Sequence, residues 1–151
     1  MQEKYFSRVL VAIDGSTSSM HATDCAISIA MKNNSQLIVL YVIDFYKYPY
    51  FPSSIILAPT FGSEKYLEEK NKAEEKMNKI KEKYKQKIKN NINYKELKTE
   101  IVEGAKSAAT TIMEYAESEN IDLIIVGSRG RTSFKKLLLG SVYHCAVLVI
   151  R

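Results

Sequence analysis

The chain has 151 residues, 46% of them hydrophobic and 26% charged, a length and balance that suit a single soluble domain, residues 1–151, with a core of its own. No apolar run is long enough for a membrane-spanning helix. The start, "MQEKYFSRVLVAID", has an early acid and too short an apolar run for a secretory signal, so a cytoplasmic protein is expected. The formal net charge of +5 traces to residues 64–98, where twelve lysines interleave with seven acids; on a helix that pattern is a solvated face, which makes nucleic acid an unlikely partner.

"RVLVAID", residues 8–14, is a short branched apolar run that ends in a turn signal, the pattern of a strand covered on both faces. "DGSTSS" supplies turn residues and helix N-cap candidates together. "MHATDCAISIAMKN" then places Ala22, Cys25, Ala26, Ile29 and Ala30 three and four apart, an amphipathic helix with small inward residues. "QLIVLYVID", residues 36–44, is a second buried strand.

Residues 45–63 hold all three prolines and a cluster of aromatics without helical or strand periodicity. A loop of that length is expected to be a lid, a partner patch or a flap on the protein's own surface. From Glu64 the pattern is helical, with Ala73, Met77, Ile80, Tyr84 and Ile88 forming one stripe and Glu75 placed four residues before Lys79. "YKELKTEIVEG" reads as a third strand. "AKSAATTIMEYAESEN" reads as a small-residue helix with Ala108, Ala109, Ile112, Met113 and Ala116 inward. "IDLIIVGS" and "AVLVIR" complete the set as the fourth and fifth strands.

This alternation predicts an α/β fold: an open, five-stranded, mostly parallel sheet with helices on both faces. Cys25 and Cys145 match no metal-ligand spacing and are expected to be buried reduced thiols. His21 and His144 are isolated, and no His/Cys/carboxylate set for zinc is visible.

In such sheets ligands bind beyond the carboxyl ends of the strands, and three features converge there. Asp14 ends the first strand; it suits a ribose or a hydrated metal, and equally a turn or cap. Val42 lies near the end of the second. Gly127, Gly130, Gly140 and Ser141 follow the fourth in the pattern G-x2-G-x9-G-S, with Arg129 and Arg131 beside them. Glycines let main-chain amides approach phosphate oxygens, and a helix-start serine adds a hydroxyl; with no ligand, the same glycines serve turns and helix ends.

"VLVAIDGSTSS", "LIVLYVID", "EGAKSAATTIMEYAESENIDLIIVGSRGRTSFKKLLLGSV" and "VLVIR" together resemble the universal stress protein family over nearly the whole chain. The resemblance implies a Rossmann-like sheet of the adenine nucleotide alpha hydrolase type, a homodimer formed through the last strand, and binding of ATP, ADP or AMP with magnesium or manganese beside the nucleotide. On the matching positions it implies that Asp14 meets the ribose or, indirectly, the metal. Ile13 adjoins it, and Val42 offers its backbone to the adenine. Gly127, Gly130, Gly140, Ser141 and Val142 hold the phosphates, with Val126 and Arg129 flanking. No positioned nucleophile and base is visible, so a stress-response or signalling module with at most slow hydrolysis is expected rather than an enzyme. The alternative is a nucleotide-independent dimeric scaffold with a degenerate site, its protein partners unknown. The sequence departs from the family pattern in one place. Only Val142, Tyr143, His144 and Cys145 separate Ser141 from the last strand, where a parallel crossover normally takes about a dozen residues or more. That predicts a disturbed fifth strand, one seated on another subunit, or a break near residues 142–144.

Overall fold

In the computed structural model, the described residues are 6–44, 61–89, 97–104, 107–128 and 146–150. They form β1 (Arg8–Ile13), α1 (Thr17–Asn33), β2 (Gln36–Asp44), α2 (Phe61–Ile88), β3 (Lys98–Gly104), α3 (Ala108–Ser118), β4 (Leu123–Gly127) and β5 (Ala146–Ile150). The five strands make one sheet in the order β3-β2-β1-β4-β5, and every neighbouring pair is parallel.

Strand periodicity divides the core in two. Val9, Val11, Ile13, Leu37, Val39, Tyr41, Ile43, Leu123 and Ile125 face α1 and α2, while Leu10, Ala12, Ile38, Leu40, Ile124 and Val126 face α3. Alternate residues of one strand thus enter opposite cores, which is why the central strands are apolar throughout.

α2 docks by the stripe its sequence announces: Ala73, Met77, Ile80 and Tyr84 are buried. It begins at Phe61, inside the stretch expected to be loop, of which residues 45–60 lie outside the described residues. Glu75 and Lys79 pair at 3.0 Å, both well exposed, so the pair adds little stability. α3 buries Ala108, Ala109, Ile112 and Ala116 behind an N-cap in which Ser107 accepts from the Thr110 amide; Met113 packs only partly buried.

α1 departs from the expected stripe. Its buried residues are Ser19, Ala22, Thr23, Ala26, Ile27 and Ala30, while Ile29 and Cys25 are half-buried; the expected buried thiol is not one at Cys25, and Cys145 lies outside the described residues. The face is rotated because two hydroxyls enter it at low cost. Ser19 Oγ donates to the Ser16 carbonyl and Thr23 Oγ1 to the Ser19 carbonyl, each at 2.9 Å, so each hydroxyl proton is satisfied within the helix itself.

The expectation for the fifth strand is corrected. β5 lies in this chain's own sheet, pairing from Leu123↔Ala146 to Gly127↔Ile150. A parallel neighbour already buried in the sheet gives β5 a full ladder to join, whatever the length of the connection. Residues 142–144, where a break was expected, lie outside the described residues. Among the described residues no helix is long and apolar enough to cross a membrane.

Candidate functional site

The strand order fixes where a site can form. From β1 the chain moves to β2 and β3 on one side, then returns to β4 and β5 on the other. At such a switch the connections leaving the two strands generally diverge and leave a crevice at their carboxyl ends, and β1 and β4 are those strands here. β1 and β4 are paired up to Ala12↔Val126, and β1 and β2 up to Ile13↔Tyr41. Asp14 is thus one residue past the paired end of β1, level with Val42, and Gly127 closes β4 on its other side.

The turn after β1 is built by its own side chains. Asp14 is 7% exposed, and its Oδ1 accepts from the Ser16 amide at 2.9 Å. Gly15 between them has φ +82°, a conformation that glycine adopts at little cost. Ser16, not Asp14, is the N-cap of α1: its hydroxyl accepts from the Ser19 amide at 3.2 Å. The turn role considered for Asp14 is therefore real and occupies one carboxylate oxygen.

Ile13 is 2% exposed and packs under α1 and α2, so only its main chain faces the crevice region. Val126 is buried in the α3 core. Val42 is partly buried against the same core. Gly127 has a steric reason to be glycine: an added Cβ would lie 2.4 Å from Ser18 Oγ, 2.7 Å from its carbonyl carbon and 2.8 Å from its oxygen. The first turn of α1 crosses β4 there. Arg129, Gly130, Arg131, Gly140, Ser141 and Val142 lie outside the described residues.

Two contacts at this turn were not foreseen. Tyr41, 3% exposed, donates its hydroxyl to Glu69 of α2, itself 9% exposed, and that hydroxyl lies 3.5 Å from the Asp14 carbonyl. Lys76 of α2 donates to the Gly15 carbonyl at 2.7 Å. One signal was in the sequence: Glu69 sits four residues before Ala73 and so continues the buried stripe of α2 as a lone acid.

The displaced ionisations of Lys98, Glu100 and Tyr115 lie away from the crevice. Lys98 is held protonated above its ordinary range, chiefly by Glu100, and Lys98 in turn holds Glu100 down. Tyr115 of α3 is pushed up to about 12, by burial first and by Glu100 second. With Arg8–Glu119 at 2.9 Å these groups form a polar web between α3 and the starts of β1 and β3. A groove of about 670 Å³ between α2 and β3, lined in part by Tyr66, Lys70, Met77, Lys81, Ile101 and Glu103, likewise opens at the sheet's β3 edge and not at the crevice. Among the described residues no cluster of three or more His, Cys, Asp or Glu could hold a metal ion.

Residues 6–150 match the model of the universal stress protein family. Universal stress protein MJ0531 of Methanocaldococcus jannaschii is 32% identical over 161 residues, spanning 99% of this chain and 84% of that protein. The structure of UspA from Lactobacillus plantarum superposes with a TM-score of 0.72 at 28% identity, over 99% of this chain and 100% of that one. Two more distant relatives share the fold and were solved with ligands. One is a universal stress protein in complex with cAMP, with TM-score 0.54, 24% identity and 97% of each chain covered. The other, from Archaeoglobus fulgidus, is in complex with dAMP, with TM-score 0.59, 15% identity, and 99% of this chain and 100% of that one covered. The buried turn at Asp14, the parallel sheet ordered β3-β2-β1-β4-β5 and the match over nearly its whole length place this chain in the universal stress protein family.

Proposed function

We propose that this chain is a cytoplasmic, single-domain adenine-nucleotide-binding module, taking ATP, ADP or AMP at the crevice between β1 and β4. The observation that carries the reading is the joint placement of Asp14 and Gly127 on the two sides of the strand-order switch, with G-x2-G-x9-G-S running on directly from Gly127. Asp14 would meet the ribose. Ile13 and Val42 would offer main-chain groups to the base, with Val126 beside them. Gly127, Arg129, Gly130, Gly140, Ser141 and Val142 would wrap the phosphates. The family members solved with cAMP and dAMP support an adenine nucleotide as the ligand class.

Asp14 also fits a magnesium or manganese ion held mainly by the nucleotide. Its carboxylate is a hard oxygen donor, but Oδ1 already accepts from Ser16, so contact through a bound water suits it better than direct ligation. The chain would act as a stress-response or signalling module and as a homodimer through β5, the terminal strand of the sheet. A nucleotide-independent scaffold is favoured by one observation, the separate steric reason for Gly127.

Thermal unfolding with and without ligand tests the reading. ATP at a hundred times its dissociation constant would stabilise the fold by about 2.7 kcal/mol, and Asp14→Ala would remove most of the shift. A melting curve indifferent to ATP, ADP and AMP in the folded wild-type protein would favour the scaffold.

A further inference from the structure

α2 carries three polar contacts spaced seven residues apart. Glu69 meets Tyr41, Lys76 meets the Gly15 carbonyl, and Lys83 meets Asp24 of α1. Seven residues are nearly two helical turns, so the three contacts run down one side of α2 beside its apolar stripe. The upper two do not meet a helix. Lys76 meets the turn that carries Asp14, and Glu69 meets Tyr41 of β2, whose hydroxyl lies 3.5 Å from the Asp14 carbonyl.

The chemistry of that turn reduces to one peptide unit. The Gly15 carbonyl accepts from the Lys76 ammonium at 2.7 Å. The amide of the same peptide, Ser16 N–H, donates to Asp14 Oδ1 at 2.9 Å. A trans peptide is planar, so its C=O and N–H point in opposite directions. Fixing the carbonyl on α2 therefore fixes the amide on the Asp14 carboxylate. The α1 ladder does not do this job, because its first bond runs from the Met20 amide to the Ser16 carbonyl, one residue later. Gly15, at φ +82°, has no side chain to restrict the unit. The turn is also held by the Asp14 amide, which donates to Ser19 Oγ at 3.4 Å, by the Ser16 cap on the Ser19 amide, and by the Tyr41 hydroxyl 3.5 Å from the Asp14 carbonyl. Those bonds lie on either side of the Gly15–Ser16 peptide, whose own carbonyl and amide bond to Lys76 and the Asp14 carboxylate.

We propose that Lys76 is a positioning residue of the nucleotide site: through the Gly15–Ser16 peptide, its ammonium holds the Asp14 carboxylate in place, and α2 is thereby coupled to the crevice. The consequence for binding rests on the nucleotide reading above; the geometry does not. The bond is charge-assisted, the stronger kind of hydrogen bond, and a peptide unit that keeps only its amide bond would sample orientations that the ligand must then freeze.

The test uses the full chain and three variants, Lys76→Met, Lys76→Arg and Lys83→Met. Lys83→Met removes another lysine contact of the same helix, the ion pair with Asp24 of α1, away from the turn. ATP affinity is measured by calorimetry, and exchange of the Ser16 amide is followed by NMR without nucleotide. Lys76→Met is expected to bind ATP about tenfold more weakly and to exchange Ser16 faster. Lys76→Arg should recover most of both, and Lys83→Met should change neither. Wild-type affinity in Lys76→Met, or an equal loss in Lys83→Met, overturns the proposal. If the wild-type protein binds no ATP, the nucleotide reading falls and Ser16 exchange decides alone: faster exchange only in Lys76→Met supports the positioning role, and unchanged exchange refutes it.

Discussion

Replacing Gly127 with alanine separates two reasons for a glycine at the end of β4. An alanine Cβ there would stand 2.4, 2.7 and 2.8 Å from Ser18 Oγ, C and O, against about 3.5–4.0 Å for comfortable contact. The hydroxyl can rotate away, but the main chain of the first turn of α1 cannot, so the turn must shift by roughly 1 Å. Overpacking of this kind costs about 1–3 kcal/mol. Against it stands the entropy that alanine removes from the unfolded chain, about 0.4–1 kcal/mol. At mid-range the strain wins, with a net loss of about 1.3 kcal/mol within a span of about 0–2.6 kcal/mol. For a chain of this size each kcal/mol moves the midpoint by about 2–4 °C. The assay is thermal and urea unfolding of Gly127→Ala with no nucleotide present. A midpoint unchanged or raised would refute the argument, since a glycine kept only for a phosphate would leave the ligand-free protein slightly stabilised by alanine.

Three other predictions follow from separate parts of the structure. Ile80, 1% exposed in the α2 stripe, should cost about 2–5 kcal/mol on truncation to alanine, read as a lower urea midpoint at unchanged slope; a loss below about 1 kcal/mol would mean that α2 is not packed there. Ser107→Ala removes the α3 cap and should cost about 1 kcal/mol by the same measurement, with full recovery in Ser107→Asp. Tyr115 should ionise near 12, visible as a high-pH tyrosinate step in an ultraviolet titration that is lost in Tyr115→Phe. Its folded pKa lies above its unfolded one. Its contribution to stability is therefore complete below about 10, the unperturbed tyrosine value, and is lost as pH rises toward 12. Ionisation at the ordinary value would contradict the burial that raises it.

What the sequence disclosed and what it hid divide along physical lines. The strands were legible because both faces of the central ones are covered, so "VLVAI" and "LIVLYVI" allow no polar alternation. The stripe of α2 was legible because its other faces are charged. The buried face of α1 was not, since Ser19 and Thr23 hide in it with their hydroxyls bonded within the helix. The seating of β5 was misjudged from connection length alone, when pairing with β4 decides it. At the site, Asp14 and Gly127 could be located from the turn signals that end their strands. The grip of Lys76 on Gly15 could not, because it joins residues 61 apart in sequence through a lysine that looks like its eleven neighbours in a solvated segment.

The central claim is that the crevice beyond β1 and β4 holds an adenine nucleotide, and calorimetric titration of the purified chain with ATP in the presence of magnesium tests it most directly. The account predicts one site per chain with a dissociation constant on the order of micromolar, about −8 kcal/mol of binding free energy, and a large loss of affinity in Asp14→Ala. A folded wild-type protein that takes up no ATP, ADP or AMP would contradict it.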